Sequence, residues 1–209
     1  MQPFLITGMG RSGTQFIANT LSKSKMYTVT HEHPNDHVYL YPNAGDTPIK
    51  RFVENYGEVN SQLRYVAPEL AKYGVKTVLL LRDPRYILRS VMQGRGMGVD
   101  DFAAGVYLIK RGIEHVVRLK NCGNIRFQFS YERLLVHKHP LVWGSLFDVI
   151  GIKDLDYYAI DFSNKIGSNG DIFTIPEPDQ WSEEDKSIYR EELGYFTEKL
   201  GYNGWCDIY

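Results

Sequence analysis

The sequence predicts an α/β fold, a three-layer P-loop NTPase-like arrangement in which a mostly parallel central sheet is flanked by helices. Three observations carry this. Phe4–Thr7 is an apolar strand that runs into the glycine-rich turn Gly8-Met9-Gly10-Arg11-Ser12-Gly13-Thr14, and the helical stretch Gln15–Ser22 follows at once. Thr77-Val78-Leu79-Leu80-Leu81 is apolar almost throughout, as a strand covered on both faces should be. Short apolar or β-branched runs alternate with helical patterns along much of the chain, the mark of βαβ units.

The elements follow in order. After the first strand, turn and helix, Tyr27–Thr30 reads as a second strand. Pro34–Lys50, rich in Pro, Asn, Asp, Gly and Tyr, has no period and reads as a loop near the C-terminal edge of the sheet. Thr77–Leu81 is the third strand. Between Asp100 and Asn121 the apolar positions Phe102, Val106, Ile109, Ile113, Val116, Val117 and Leu119 recur at helical spacing, with Asp100 or Asp101 as cap. Ile125–Phe129 reads as a fourth strand and Ser163–Pro178 as a second long loop. Ser182-Glu183-Glu184-Asp185 opens a last helix running to about Leu200, a capping serine followed by acids that suit the helix N-terminus.

A chain of 209 residues is long enough for one well-buried core and short for two, so residues 1–209 are expected to form a single domain. With 24 Lys+Arg against 25 Asp+Glu it is nearly neutral, which gives no reason to expect nucleic acid or an anionic membrane as partner. No apolar run approaches the roughly 20 residues that span a bilayer, and the first strand begins within a few residues of Met1, so a cytoplasmic location is expected. Cys122 and Cys206 have no metal-ligand spacing; a reduced setting fits, and a single disulfide stays open.

In open α/β sheets ligands bind beyond the C-terminal strand ends. Three such ends carry suitable chemistry: Gly10, Arg11, Ser12, Gly13, Thr14 and Gln15 after the first strand, His31, Glu32 and His33 after the second, and Arg82, Asp83 and Arg85 after the third, with Ser90 further along. The turn is a phosphate cradle, because glycines let backbone N–H groups converge on an anion at a helix N-terminus. It is not a nucleotide-hydrolysing P-loop. Counted from Gly8 and Gly13, the Lys and the metal-holding Ser or Thr of that motif fall on Thr14 and Gln15, and a cation, Arg11, sits inside the loop instead. Arg82 and Ser90 offer a second anion grip, which suggests a nucleotide with two phosphate positions.

Gly10–Thr14, taken with Leu-Leu-Leu-Arg-Asp-Pro-Arg-Tyr-Ile-Leu-Arg-Ser at Leu79–Ser90, resembles the paired signatures of the sulfotransferases that use 3′-phosphoadenosine 5′-phosphosulfate, PAPS. Ser130-Tyr131-Glu132-Arg133-Leu134-Leu135 is similar to the Tyr-Glu-(Asp)-Leu segment of that family, with Arg133 in place of the usual acid. Lys165-Ile166-Gly167-Ser168-Asn169-Gly170 resembles, more loosely, its basic Gly/Ser loop over the adenosine. The resemblance reaches from Phe4 to about Gly170. It implies that Gly10 to Gln15 grip the 5′-phosphosulfate, that Arg82 and Ser90 grip the 3′-phosphate, and that Lys165 and Ser168 close over the nucleotide. It also implies sulfuryl transfer without metal to a small-molecule, glycan or peptide acceptor.

Such chemistry places negative charge on the bridging oxygen, where Arg11 would stabilise it, and takes a proton from the acceptor. Glu32 is the expected base, because its separation from Arg11 looks like that of the catalytic glutamate in the Golgi tyrosylprotein sulfotransferases, whose loop also reads Arg-Ser-Gly-Thr. The cytosolic enzymes use a His shortly before the strand equivalent to Thr77–Leu81, and residues 38–76 contain none. Alternation along an extended segment turns His31 and His33 away from the face of Glu32. Two other functions compete: a small-molecule kinase on the same sheet, for which the loop lacks its Lys, and a non-catalytic nucleotide binder, which has no use for Glu32.

Overall fold

Five parallel strands form the sheet in the order β2-β3-β1-β4-β5: β1 Phe4–Gly8, β2 Thr28–His31, β3 Tyr56–Val59, β4 Lys76–Leu81 and β5 Phe127–Ser130. The computed structural model describes residues 1–32, 48–92, 101–125, 127–163 and 176–202. Helices α1 (Thr14–Leu21), α2 (Ala67–Lys72), α3 (Pro84–Met92), α4 (Phe102–Lys120), α5 (Pro140–Ile150), α6 (Glu183–Tyr189) and α7 (Tyr195–Leu200) cover both faces.

Alternation along the central strands divides the interior in two. Leu5, Leu79 and Leu81 point into a core built with α2, α3, α4, α6 and α7, including Leu70, Ile87, Leu88, Ile109, Ile113, Leu193 and Leu200. Phe4, Ile6, Val78 and Leu80 point the other way, against Ile17 and Leu21 of α1 and Trp143, Phe147 and Ile150 of α5. Both β1 and β4 are buried on both sides, so their sequences carry apolar residues where a half-exposed strand would alternate.

Two expectations need correction. The strand β3 was not foreseen, because Gly57 and Glu58 interrupt its apolar pattern. Glu58 is nonetheless fully buried, its carboxylate accepting hydrogen bonds from Arg51, the Tyr56 hydroxyl and Asn60 Nδ2 at 2.7–3.2 Å. Burial pushes the Tyr56 phenol up to about 12, so it stays a donor to Glu58 and accepts from Thr30 Oγ1 at 2.7 Å. The second and fourth predicted strands each lie one or two residues further along, at Thr28–His31 and Phe127–Ser130. The last helix runs to Leu200 as read, with a π-helical turn at Arg190–Gly194 between α6 and α7. Its start is as read, with the Ser182 hydroxyl accepting from Asp185 N–H at 3.1 Å, and Asp101 caps α4 through Ala104 N–H at 2.9 Å.

The strand order creates a switch point: the chain leaves β1 toward β2 and β3 on one side and reaches β4 and β5 on the other. The crevice beyond the C-terminal ends of β1 and β4 is where ligands bind in such sheets, and both predicted anion grips emerge there.

Candidate functional site

The turn after β1 is shaped by two left-handed residues, Arg11 (φ 69°) and Gly13 (φ 77°), on either side of Ser12. Left-handed turns of this kind can gather successive N–H groups around an anion, and the ladder of α1 opens directly after it with Ile17 N–H to Gly13 O at 3.1 Å. For Arg11 the conformation costs about 1–2 kcal/mol, so the surroundings must hold it. They do so through the two grips together. Arg82 Nη1 donates to the Arg11 carbonyl oxygen, and Arg11 Nε donates to Ser90 Oγ at 3.0 Å. Arg11, Arg82 and Ser90, remote in sequence, therefore form one cluster.

The cluster is packed from beneath. The Arg82 guanidinium lies 4.2 Å from the centroid of the Tyr131 ring, a cation–π contact. A Cβ at position 13 would fall 2.3 Å from Leu135 Cδ1 and 2.8 Å from Tyr131 Cε2, so only glycine lets the loop settle on this segment. Two polar atoms here are buried with no hydrogen-bond partner: Ser12 Oγ and Arg82 Nε. Both are donors left over in a cationic crevice, as suits a group with several anionic oxygens. Thr14 is buried and Gln15 exposed on the first turn of α1, and Gly10 lies against Ser61, whose Oγ is 3.9 Å from the position of a Cβ at 10.

The second strand end supplies the carboxylate. Glu32 has φ 38°, so the extended path stops there and neighbouring side chains diverge. His31 Nε2 shares a hydrogen bond with Thr14 Oγ1 at 3.2 Å, while Glu32 Oε1 accepts from Ser61 Oγ at 2.7 Å. Burial holds the His31 pKa below its usual value, partly opposed by the Glu32 charge. Ser61 is itself fixed: it is 3% exposed, and its carbonyl accepts from Arg64 Nη1 at 2.6 Å. Arg64 stacks on Tyr65 at 4.3 Å, and its carbonyl takes a hydrogen bond from His115 Nε2 at 3.0 Å. Sequence reasoning missed Ser61 and Arg64, which follow the unforeseen β3.

Glu132 orients backbone. Its Oε1 accepts from Asp83 N–H at 3.0 Å, and its Oε2 accepts from Ser130 Oγ at 2.7 Å. Asp83 in turn pairs with Arg85 at 2.6 Å, both side chains buried. A cavity of about 860 Å³ opens beside Arg82, walled by Tyr131, Glu132, Arg133, His137 and Tyr202 among others. His33, Lys165 and Ser168, and most of the loops Pro34–Lys50 and Ser163–Pro178, lie outside the described residues. Among the described residues no three His, Cys, Asp or Glu side chains cluster as metal ligands, and no helix is long and apolar enough to cross a membrane.

No protein-family model and no curated protein sequence matches the chain. Solved structures do. The mouse sulfotransferase SULT7A1 complexed with PAP superposes with a TM-score of 0.57 at 14% identity, over 96% of this chain and 89% of that one. The sulfotransferase domain of the Synechococcus PCC 7002 olefin synthase superposes with a TM-score of 0.56 at 13% identity, over 97% and 95%.

Proposed function

We propose that this chain, which has the sulfotransferase fold, is a cytoplasmic, single-domain PAPS-dependent sulfotransferase acting on a small-molecule, glycan or peptide acceptor without metal. The observation that carries the reading is the cluster of Arg11, Ser90 and Arg82, which joins two anion grips at one sheet switch point. A nucleotide with phosphates at both its 5′ and 3′ positions suits that pairing.

In the proposed reaction the N–H groups of Ser12 to Thr14, with Ser12 Oγ, hold the 5′-phosphosulfate, and Arg82 with Ser90 holds the 3′-phosphate, Lys165 and Ser168 closing over it. The acceptor hydroxyl gives its proton to Glu32 as its oxygen forms a bond to sulfur. In the same step the bond from sulfur to the bridging oxygen breaks, and the electron pair stays on the departing 5′-phosphate. Arg11 stabilises that charge, a contribution of several kcal/mol in sites of this kind. The Ser61 hydroxyl, donating to Glu32, would hold its carboxylate in place.

The test has two arms. Calorimetry should find tighter binding of 3′-phosphoadenosine 5′-phosphate, PAP, than of ATP, with the preference abolished in Arg82→Ala. Incubation with sulfur-labelled PAPS and a panel of acceptors, without added metal, should give labelled product, and Glu32→Gln should lose turnover while keeping PAP affinity. Transfer that appears only with magnesium and ATP would make the protein a kinase, and tight PAP binding with turnover indifferent to Glu32 would remove the glutamate from the mechanism.

A further inference from the structure

The side chain of Glu132 ties three distant parts of the chain together. It stands at the start of a π-helical turn, Glu132–Val136, just after β5. Besides Asp83 N–H and Ser130 Oγ, it accepts a hydrogen bond from the Tyr202 hydroxyl at 2.8 Å, across 70 residues of sequence. Burial and the Glu132 charge both push the Tyr202 phenol up, so it remains a donor at any physiological pH.

The consequence falls on Arg82. Its backbone neighbour Asp83 is held by Glu132 through the N–H and by Arg85 through the carboxylate, so the chain at the end of β4 is fixed from two sides. Its guanidinium rests on Tyr131, the residue before Glu132, so the same carboxylate anchors the platform under Arg82. Arg82, Tyr131, Glu132 and Tyr202 all line the 860 Å³ cavity.

We propose that Tyr202, acting through Glu132, is a positioning residue for Arg82 and thereby sets the selectivity of the site for nucleotides carrying a 3′-phosphate. This rests on the reading of Arg82 as the 3′-phosphate ligand. Tyr202 makes no hydrogen bond to the loop after β1 or to Glu32 among the described residues, so it reaches the loop only through Arg82, and its effect should fall more heavily on the 3′-phosphate end of the nucleotide.

The experiment compares PAP with adenosine 5′-monophosphate, which lacks the 3′-phosphate, by calorimetry on wild type and Tyr202→Phe. Wild type binding PAP no better than the monophosphate would overturn the nucleotide reading itself, before any variant is considered. With that preference present, Tyr202→Phe should weaken PAP about two- to tenfold, the loss of one modest hydrogen bond, and weaken the monophosphate by less. Equal weakening of both ligands, or of neither, overturns the positioning role. Should Tyr202→Phe fail to fold, Ser130→Ala removes the other hydroxyl from the same carboxylate oxygen, and its PAP-to-monophosphate ratio decides in the same way.

Discussion

Replacing Gly13 by alanine is the sharpest test of how the loop is held. Two costs add. At φ 77° an L-residue is destabilised by about 1–2 kcal/mol. The new methyl would also lie 2.3 Å from Leu135 Cδ1 and 2.8 Å from the Tyr131 ring, an overpacking of a kind that costs about 1–3 kcal/mol. The sum is about 2–5 kcal/mol, and at 2–4 °C per kcal/mol for a domain of this size the melting temperature should fall by about 4–20 °C. Gly74→Ala supplies the control. Gly74 has φ 84° and nothing within 4 Å of a Cβ, so it carries the backbone term alone. Thermal melts of the two variants should therefore differ by the packing term, and since Tyr131 is the platform for Arg82, only Gly13→Ala should also weaken PAP. Equal melting temperatures for the two would refute the claim that the loop is wedged against Tyr131 and Leu135.

Two further outcomes follow from buried and titrating groups. Asp83→Asn breaks a pair whose side chains are 4% and 2% exposed and should cost about 3–5 kcal/mol, whereas Glu69→Gln, in an exposed pair with Lys72, should change stability by less than about 1 kcal/mol; denaturant titration of both checks this. Burial lowers the pKa of His31 and of His115, so the unfolded chain takes up protons that the folded one refuses. Stability should then be full above the ordinary histidine value of about 6.5 and fall as pH drops through it, with melting temperature flatter between pH 7.5 and 5.5 in a His31→Gln, His115→Gln double variant. Identical slopes for variant and wild type would dismiss both histidines as the source.

What the sequence made legible was what local chemistry dictates. Leu79 and Leu80 mark a strand buried on both faces, and Gly10 to Thr14 mark a turn at a helix start, without reference to anything distant. Glu58 conceals β3, since a lone carboxylate in a short strand reads as exposed until Arg51, Tyr56 and Asn60 are seen around it. With β3 unrecognised, Ser61 and Arg64 had no strand end to belong to, so the partner of Glu32 stayed hidden. The π-helical turn at Arg190–Gly194 left no mark either, because it changes the hydrogen-bond ladder without changing the apolar spacing that announces a helix. Tyr202 was illegible for a different reason: its role exists only through a contact spanning 70 residues.

The grip of Arg82 on the loop falls on the main-chain oxygen of residue 11, not on its side chain. Shape and charge at that position are thus written separately. A chain with lysine, or with no cation, at that position would keep the hydrogen bond between the main chain of the loop and Arg82. Main-chain scaffold and side-chain charge can therefore drift apart at this position.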